Sequence, residues 1–356
     1  MNSLTDVSVI KKLAILFLAF AGLYFAKNLL VPICIAAILS ALFLPLCRWL
    51  ENRNISRIAA ALTCLVCLLL IISVIAIIVG WQITALANGI VTIREKIFQS
   101  TDSFQQYLFD HFGIAKNVQS QFIIDKEGIV IEILSLAAGS FLTFLTKLIF
   151  VLIYVLFFLY YRNHIKNFLV QLAHPENEKE TNEIISSAAG VSQQYLSGVS
   201  KIIVILWIIY ALCFSVLGLK NALLLAIVCG LFEIIPYLGN ILGTALNVLL
   251  ALVNGADLYL LTGIVVIYAL IQLFRGWILE PLILGPQVKI NPLSTIIALV
   301  IGEMVWGIPG IILSIPLTAI IKIIFDHING LKAYGFLIGE VQKPRILYSS
   351  EDADPV

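Results

Sequence analysis

The chain has 356 residues, 61% of them hydrophobic and 12% charged, and its formal net charge is +1. In soluble globular proteins about a quarter of all residues are charged. This composition therefore excludes that class and indicates a polytopic membrane protein. The charge gives no sign of a nucleic-acid partner, because no basic cluster is dense enough to suggest one.

Motifs for catalysis or metal binding are missing from the sequence. The four histidines show no metal-ligand spacing, and no nucleotide-binding loop, nucleophile elbow or zinc-binding helix occurs. All six cysteines fall inside apolar runs, where a thiol is usually a small hydrophobic side chain. This interpretation includes Cys64 and Cys67, which have CxxC spacing. We therefore expect no enzymatic activity, no metal, no cofactor and no ATP-driven transport by this chain.

The first three membrane spans are predicted within residues 1–87. The apolar runs there are long enough to cross a hydrocarbon core of about 30 Å, and in lipid such runs form helices because every backbone polar group must be paired internally. The spans are expected to end near Ala26, Cys47 and Ala87. A basic loop, residues 48–57, lies between the second and third spans. Because positive residues near span ends favour the cytoplasm, the N-terminus is expected on that side.

The longest polar interval of the chain covers residues 88–132. Phe104, Leu108 and Phe112 recur there at helical spacing opposite polar side chains. This pattern predicts an extracytoplasmic amphipathic helix that lies on the membrane surface or on a partner subunit.

A second polar interval, residues 162–200, follows the fourth predicted span at residues 133–161. Arg162 at the end of that span favours the cytoplasmic side, and apolar residues at helical spacing predict an amphipathic helix. Residues 331–356 are predicted to be a cytoplasmic tail.

Residues 201–330 are predicted to form a transport core that contains two broken hairpins. A fifth span ends near Leu217, and the apolar run of residues 221–253 is then interrupted by FEIIPYLGNILG, residues 232–243. The first arm, residues 221–235, would be about 22 Å long at 1.5 Å per residue, too short to cross the membrane. Proline and glycine in the interruption let the chain reverse, which predicts a re-entrant hairpin.

The second broken hairpin is predicted at residues 293–326. Its break is expected at Pro309 and Gly310, and Pro316 follows. Because one span separates the two hairpins, they would enter the membrane from opposite faces. Discontinuous helices of opposite orientation are typical of secondary transporters with a substrate path near the midplane.

Polar side chains near the first break are candidates for that path, because burying them in lipid is costly. Glu233 and Asn240 flank the break, and Asn247 follows; the alternative role of Glu233 is to cap free backbone groups at the hairpin tip. Arg275 and Glu280, after the penultimate span, either belong to the path or form an interfacial salt bridge.

Two further charges lie in other membrane segments. Glu303 in the second hairpin has no evident capping role, so it is the preferred candidate for coupling to protons or sodium. Lys147, near the middle of the fourth span, needs a partner such as Glu233 or Glu303. The complete predicted path comprises Lys147, Glu233, Pro236, Tyr237, Gly239, Asn240, Asn247, Arg275, Glu280, Glu303, Pro309, Gly310 and Pro316.

Several motifs in a fixed order resemble one known family. They are PLCRWLENRNISR (residues 45–57), YYR, YLSG, EIIPYLG (residues 233–239), LEPLILG, NPL and GIPGIILSIP. Together they are similar to the autoinducer-2 exporter family, also called PerM-like permeases, over about residues 10–330.

The resemblance implies a bacterial inner-membrane protein with about eight membrane segments that forms oligomers. Members are described as exporters of the quorum signal autoinducer-2 or as sodium(lithium)/proton antiporters. The positions that match the family are Pro236, Gly239, Pro281, Gly285, Pro292, Gly302, Gly307, Gly310 and Pro316. The chain departs from the pattern at Asn240, where proline is usual, near Leu246, where a proline is missing, and at Glu303, where a small residue is usual.

The leading functional prediction is a secondary transporter that exports a small polar solute, such as autoinducer-2, by alternating access. A sodium(lithium)/proton antiporter is the alternative within transport. An oligomeric membrane scaffold without transport is the alternative from another class, although Glu303 and Lys147 would give a scaffold no evident benefit. The bilayer, a small-molecule or ion substrate and further copies of the chain are the expected partners, and both termini are expected in the cytoplasm.

Overall fold

The computed structural model describes residues 3–78, 80–81, 126–173, 177–219, 221–235, 238–253, 256, 258–284 and 289–340. Regular structure in this part of the chain is helical, and the β-type contact found there is an isolated bridge between Ile290 and Gly339. Six helices within these ranges are long and apolar enough to cross a membrane. The predicted all-α polytopic membrane fold is confirmed. The amphipathic helix predicted around Phe104 lies outside the described residues.

The helices are named in chain order. The first half contains α1 (Ser3–Phe25), α2 (Lys27–Glu51), α3 (Arg57–Ile78) and α4 (Lys126–Leu172). The second half contains α5 (Glu178–Val216), α6 (Ala222–Phe232), α7 (Leu238–Val253), α8 (Leu258–Phe274), α9 (Glu280–Ile283), α10 (Pro292–Trp306), α11 (Ile308–His327) and α12 (Lys332–Ile338). A π-helical turn, Arg275–Leu279, joins α8 to α9.

Two apolar clusters hold these helices together. One lies between α2, α3 and α4 and buries small side chains such as Ala60, Ala61 and Cys64. The other lies between α5, α6, α7 and α8 around Tyr210 and Tyr268. The long helix α5 also packs against α2 and α11. It therefore connects the N-terminal helices to both hairpins.

Two helices are longer than the sequence pattern predicts. α4 continues past Tyr161 to Leu172, and α5 runs unbroken from Glu178 to Val216. The predicted amphipathic helix and the fifth span are thus parts of one helix. Tyr195 and Ile202, seven residues apart across the expected boundary, are both buried. The helical period continues there, and no proline interrupts it.

The first hairpin consists of the two short helices α6 and α7. They have 11 and 16 residues, fewer than the roughly 20 that a spanning helix needs. The run is interrupted, but α6 ends at Phe232, three residues before the predicted end of the first arm at Ile235, and α7 begins at Leu238. A Cβ atom at Gly239 would overlap the Phe232 carbonyl oxygen, so only glycine fits where the start of α7 passes the end of α6.

The second hairpin breaks at Gly307, so the predicted break at Pro309 and Gly310 is wrong. α10 ends at Trp306, Gly307 adopts a φ of 66°, and α11 begins at Ile308. Glycine reaches this left-handed region without steric cost. Pro309 lies in the first turn of α11, where its missing N–H would be unpaired in any case. Because α11 has 20 residues and is long enough to cross a membrane, re-entry of this hairpin stays a prediction.

The arms of the second hairpin touch through small residues. Ala298 and Gly302 on α10 face Gly310 and Ser314 on α11, and Ser314 Oγ donates a hydrogen bond to the Ala298 carbonyl oxygen at 2.8 Å. This is the small-xxx-small spacing that lets membrane helices approach closely.

Both ends of α10 are tied to other elements. At its end, Trp306 donates its Nε1–H to the Leu23 carbonyl oxygen of α1 at 2.9 Å. At its start, Asn291 Oδ1 accepts the Ser294 N–H at 2.8 Å, and Asn291 Nδ2 donates to the Leu337 carbonyl oxygen of α12 at 2.6 Å.

Candidate functional site

Glu233 is the charged residue at the break of the first hairpin. It follows α6 directly and is 3% exposed. Tyr210 on α5 donates its hydroxyl to Glu233 Oε1 at 2.9 Å, and the Arg275 guanidinium forms an ion pair with Glu233 Oε2. A carboxylate can be buried when its oxygens have such partners. The side chain of Glu233 therefore joins the hairpin to α5 and to the end of α8.

Arg275 binds a second carboxylate, that of Glu280. Arg275 Nε lies 3.0 Å from Glu280 Oε1. Residues five apart in an α-helix lie about 140° apart around the axis, since the helix has 3.6 residues per turn. The wider π-helical turn at Arg275–Leu279 brings the two side chains to the same face. π-helical turns are rare in proteins, and many of those that occur lie at functional sites.

The two ion pairs differ strongly in exposure. The side chain of Arg275 is 9% exposed and that of Glu233 is 2% exposed, whereas the side chain of Glu280 is 43% exposed. Glu233, Arg275 and Glu280 are called the triad below. Glu280 is the member that a solute or water can reach most easily. The three charges sum to one net negative charge when all are ionised.

A cavity of about 300 Å³ lies beside this triad. Both hairpins line it, the first through Glu233 and Ile234 and the second through Thr295, Leu299 and Ile315. The rest of its wall comes from α5 and from the region of the π-turn, through Tyr195, Val199, Ile202, Ile203, Gln272, Arg275, Gly276, Glu280 and Leu284.

Gln272 adds an unsatisfied polar group to this cavity. Its Oε1 atom is buried and has no hydrogen-bond partner among the described residues. Buried polar atoms normally have partners. An unpaired acceptor in the wall of a cavity therefore marks a place where a bound donor, such as a hydroxyl group, would be stabilised.

Asn247 belongs to a separate polar cluster. Its Nδ2 donates to the Gly243 carbonyl oxygen at 2.9 Å and lies 2.9 Å from both Cys229 Sγ and Tyr268 Oη. These residues join α6, α7 and α8. The ring centroid of Tyr268 lies 5.1 Å from that of Tyr210, so the cluster adjoins the partner of Glu233 without lining the cavity.

Glu303 and Lys147 lie elsewhere. Both are exposed on the surface of the chain, Glu303 on α10 and Lys147 on α4, and neither lines the cavity beside Glu233. Glu233 pairs with Arg275 and not with Lys147, because Arg275 and Tyr210 already occupy both of its oxygens.

The remaining predicted residues that the structure describes do not line the cavity beside Glu233. Asn240 in the first turns of α7 has a buried Oδ1 atom without a partner among the described residues. Gly239, Gly310 and Pro316 are buried, the two glycines at close backbone contacts, and Pro309 belongs to the first turn of α11. Pro236 and Tyr237 lie outside the described residues.

Sequence reasoning missed Tyr210, Tyr195 and Gln272. The signal for Gln272 was its position three residues before Arg275, which places both on one face of α8. Tyr195 and Tyr210 lie 15 residues apart on α5, and nothing in their own sequence neighbourhood indicates that Glu233 is close in space.

Comparison with known proteins decides the family. A family model described as "AI-2E family transporter" matches residues 13–330. The chain belongs to the AI-2E transporter family. The matched range contains every element of the site described above.

Bacterial relatives of this AI-2E family chain match it along most of its length. YueF of Bacillus subtilis (strain 168), named as a candidate transport protein, is 27% identical over 335 residues, which cover 90% of this chain and 89% of the relative. The protein named AI-2 transport protein TqsA, of Escherichia coli (strain K12), is 23% identical over 346 residues, which cover 96% and 98%. Together with the six apolar helices, these matches identify the chain as a multi-pass membrane transporter.

Proposed function

We propose that this transporter moves a small polar solute through the cavity beside Glu233 and Arg275, and that export of autoinducer-2 is the leading case. The observation that supports this most directly is a buried ion pair that faces a cavity. Charges inside membrane segments are costly and usually mark a substrate or ion pathway. The name of the relative TqsA, AI-2 transport protein, supports the choice of solute.

The chemistry of the cavity favours a solute with several hydrogen-bond donors. Gln272 Oε1 is an unpaired acceptor, and Glu280 presents a carboxylate that is partly exposed. Donation from a solute hydroxyl to an ionised carboxylate is stronger than a neutral hydrogen bond. The Arg275 guanidinium would orient an oxygen of the same solute. The volume of about 300 Å³ is at the lower end of known ligand pockets and fits a small molecule.

Alternating access would follow from the position of the hairpins. Because both hairpins line the cavity, displacement of either one changes which side of the site is open. Glu233 and Thr295 mark the two hairpins at the cavity wall. In this scheme Glu233 moves with the first hairpin, and the distance between Glu233 and Arg275 changes.

A monovalent cation/proton antiporter is the second candidate, favoured by two carboxylates around one guanidinium. The net negative charge of Glu233, Arg275 and Glu280 suits a cation or a proton. Glu303 remains a candidate for ion coupling, but it lies outside this cavity. The antiport scheme therefore expects loss of ion coupling in Glu233→Gln and compares it with Glu303→Gln.

The test uses purified protein in liposomes under an imposed pH gradient. Uptake of labelled autoinducer-2 that is lost in Glu280→Gln supports the solute transporter. Sodium-dependent proton flux that is lost in Glu233→Gln supports the antiporter. Glu183→Gln, on an exposed face of α5 and away from the cavity, is the matched control and should behave as wild type. If folded protein shows neither activity, both transport proposals fail and the scaffold alternative gains support.

The proposed setting is the bacterial cytoplasmic membrane, with both termini in the cytoplasm and several copies of the chain together. Exposed Glu303 supports association, because its exposed neighbours Val300 and Met304 are apolar and a carboxylate in contact with lipid is costly. A neighbouring copy that covers this face of α10 would shield it. Mass measurement in lipid nanodiscs tests this, and a monomer there would contradict it.

A further inference from the structure

A second cavity lies between α2, α4, α5 and α11. Its volume is about 270 Å³ and it is open to the surroundings of the chain. Small and apolar side chains predominate in its wall, which comprises Ala37, Ile38, Ser40, Ala41, Leu44, Phe158, Leu159, Arg162, Ile165, Ala188, Ala189, Ser192 and Ile320. Among the residues that the structure describes, none lines both this cavity and the cavity beside Glu233.

The two cavities follow each other along one face of α5. Ala188 and Ser192 line the second cavity, whereas Tyr195 and Val199 line the first. Spacings of three and four residues place these side chains on the same face of the helix. Ser192 and Tyr195 are separated by about 4.5 Å along the helix axis, at 1.5 Å per residue. The cavities are therefore neighbours along the axis of α5.

The helix α11 borders both cavities. Ile320 lines the second cavity and Ile315 lines the first. Five residues correspond to about 7.5 Å along the axis and about 140° around it, so the two side chains lie on different faces of α11. This helix therefore separates the cavities by level along its axis, with Arg162 in the wall of one and Glu233 in the wall of the other, while α5 places them on one face.

Tyr195 is the lining residue of the cavity beside Glu233 that lies nearest along α5 to Ser192, a lining residue of the second cavity. It is 8% exposed, and the neighbouring Ser192 is 4% exposed. The Ser192 hydroxyl is turned back to its own helix, where it donates to the Ala188 carbonyl oxygen at 2.9 Å. The Tyr195 hydroxyl makes no hydrogen bond with the described residues, and its oxygen is not one of the fully buried polar atoms that lack a partner. Rotation of this ring would therefore break no hydrogen bond to the described part of the protein.

We propose that the second cavity is a vestibule through which the solute reaches the site from the Arg162 side, and that the Tyr195 ring is the gate between them. This inference rests on the proposed function of the cavity beside Glu233. A ring among apolar and small side chains closes a path by filling it and excluding water, as in hydrophobic gates of channels. The vestibule wall, whose serines bond to their own helices, would let a polar solute pass without holding it.

Thiol accessibility tests the gate without any transport assay. Ala188→Cys reports on the vestibule and Val199→Cys reports on the cavity behind the gate, each in a chain whose six natural cysteines are replaced. A small membrane-impermeant thiol reagent is added to either side of reconstituted membranes, and Asn52→Cys in the exposed turn after α2 identifies the Arg162 side.

From that side we expect Val199→Cys to react at least about tenfold more slowly than Ala188→Cys, which corresponds to a gate of ~1.4 kcal/mol. Tyr195→Ala should raise the rate at Val199→Cys to that at Ala188→Cys and leave the latter unchanged. Tyr195→Phe should keep the slow rate, because the ring and not the hydroxyl fills the path. Tyr161→Ala, at an exposed ring outside both cavities, is the matched control.

Equal rates at the two cysteines in the parent chain, or a rate at Val199→Cys that Tyr195→Ala does not change, would overturn the gate. If the cysteine-free chain does not fold, the same variants are made with the natural cysteines present and the labelled site is read by mass spectrometry. A working gate in a protein that moves no solute would refute the proposed function alone. Transport with an open path at Tyr195 would refute the gate alone.

Discussion

Gly302 and Gly310 meet backbone to backbone across the second hairpin, so that a Cβ atom on Gly310 would overlap the Gly302 carbonyl oxygen. Ser314 on the next turn continues the same contact line, because its single O–H is shared between the Gly310 carbonyl oxygen at 2.6 Å and the Ala298 carbonyl oxygen at 2.8 Å. Backbone approach of this kind replaces side-chain burial as the source of helix association in lipid.

Gly310→Ala is expected to destabilise the protein, because the added methyl group must push α10 and α11 apart. Overpacking of this kind costs about 1–3 kcal/mol. Thermal unfolding in detergent measures the effect. Gly22→Ala is the control, since a Cβ there meets nothing within 4 Å and alanine favours a helix over glycine by up to about 1 kcal/mol. Equal stability of the two variants would contradict the close contact.

Replacing Glu233 or Arg275 alone should lower the stability of the protein more than replacing both. Among the described residues, Glu233→Gln leaves Arg275 buried with Glu280 as its remaining carboxylate, and Arg275→Gln leaves the Glu233 carboxylate with Tyr210 as its remaining side-chain partner. Breaking one side of a buried ion pair costs about 3–5 kcal/mol, whereas replacing the whole pair is far cheaper. Unfolding of both single variants and the double variant measures the coupling. Additive losses in the double variant would mean that the two side chains do not stabilise each other.

Tyr210→Phe should weaken the site without disturbing the packing of α5. The ring remains stacked with Phe214, 5.4 Å between centroids, and only the hydrogen bond to Glu233 is lost. We expect a loss of about 1–3 kcal/mol in stability and a reduced transport rate in liposomes. Tyr24→Phe, at an exposed ring on α1, is the comparison. Transport at the wild-type rate in Tyr210→Phe would show that this hydrogen bond does not position Glu233.

Asn291 has two tasks, to accept a hydrogen bond from the start of α10 and to donate hydrogen bonds to the end of α12. Two substitutions distinguish them. Asn291→Asp keeps an acceptor for the Ser294 N–H but loses the Nδ2 donor to the carbonyl oxygens of Leu337 and Gly339. Asn291→Ala loses both tasks, and loss of a helix cap costs about 1 kcal/mol. Hydrogen exchange should be faster in α12 in both variants and faster at the start of α10 only in Asn291→Ala. Unchanged hydrogen exchange in α12 of Asn291→Asp would show that the hydrogen bonds from Asn291 to Leu337 and Gly339 do not stabilise α12.

The helical membrane architecture was predictable because it depends on local composition. Apolar runs require helices in lipid, and the motif around Gly239 marks a real break. The sequence predicts the second break at Pro309 and Gly310, because proline lacks a backbone N–H and interrupts most helices. The structure instead places Gly307 at the positive φ and Pro309 in the first helical turn, where both residues are favourable.

The partners of the charged residues were not predictable to the same degree. Arg275 and Glu233 are 42 positions apart in the sequence. They come together only because α6, which ends next to Glu233, and α8, which ends next to Arg275, both pack against α5. The Arg275–Glu280 contact needs a π-helical turn, which no spacing rule for α-helices indicates. Lys147 and Glu303 are charges in apolar segments, and a sequence does not tell whether such a charge faces the interior, a neighbour or lipid.

The hydrogen bond from Trp306 to Leu23 connects the end of α1 to the second hairpin. Trp306 directly precedes the glycine at which the second hairpin turns, so a displacement of this turn either takes the end of α1 along or gives up a bond worth about 1 kcal/mol. The N-terminal helix is thereby coupled to a part of the molecule almost 300 positions away in the sequence. A fluorescent label near Phe25 would report movements of the second hairpin without touching it.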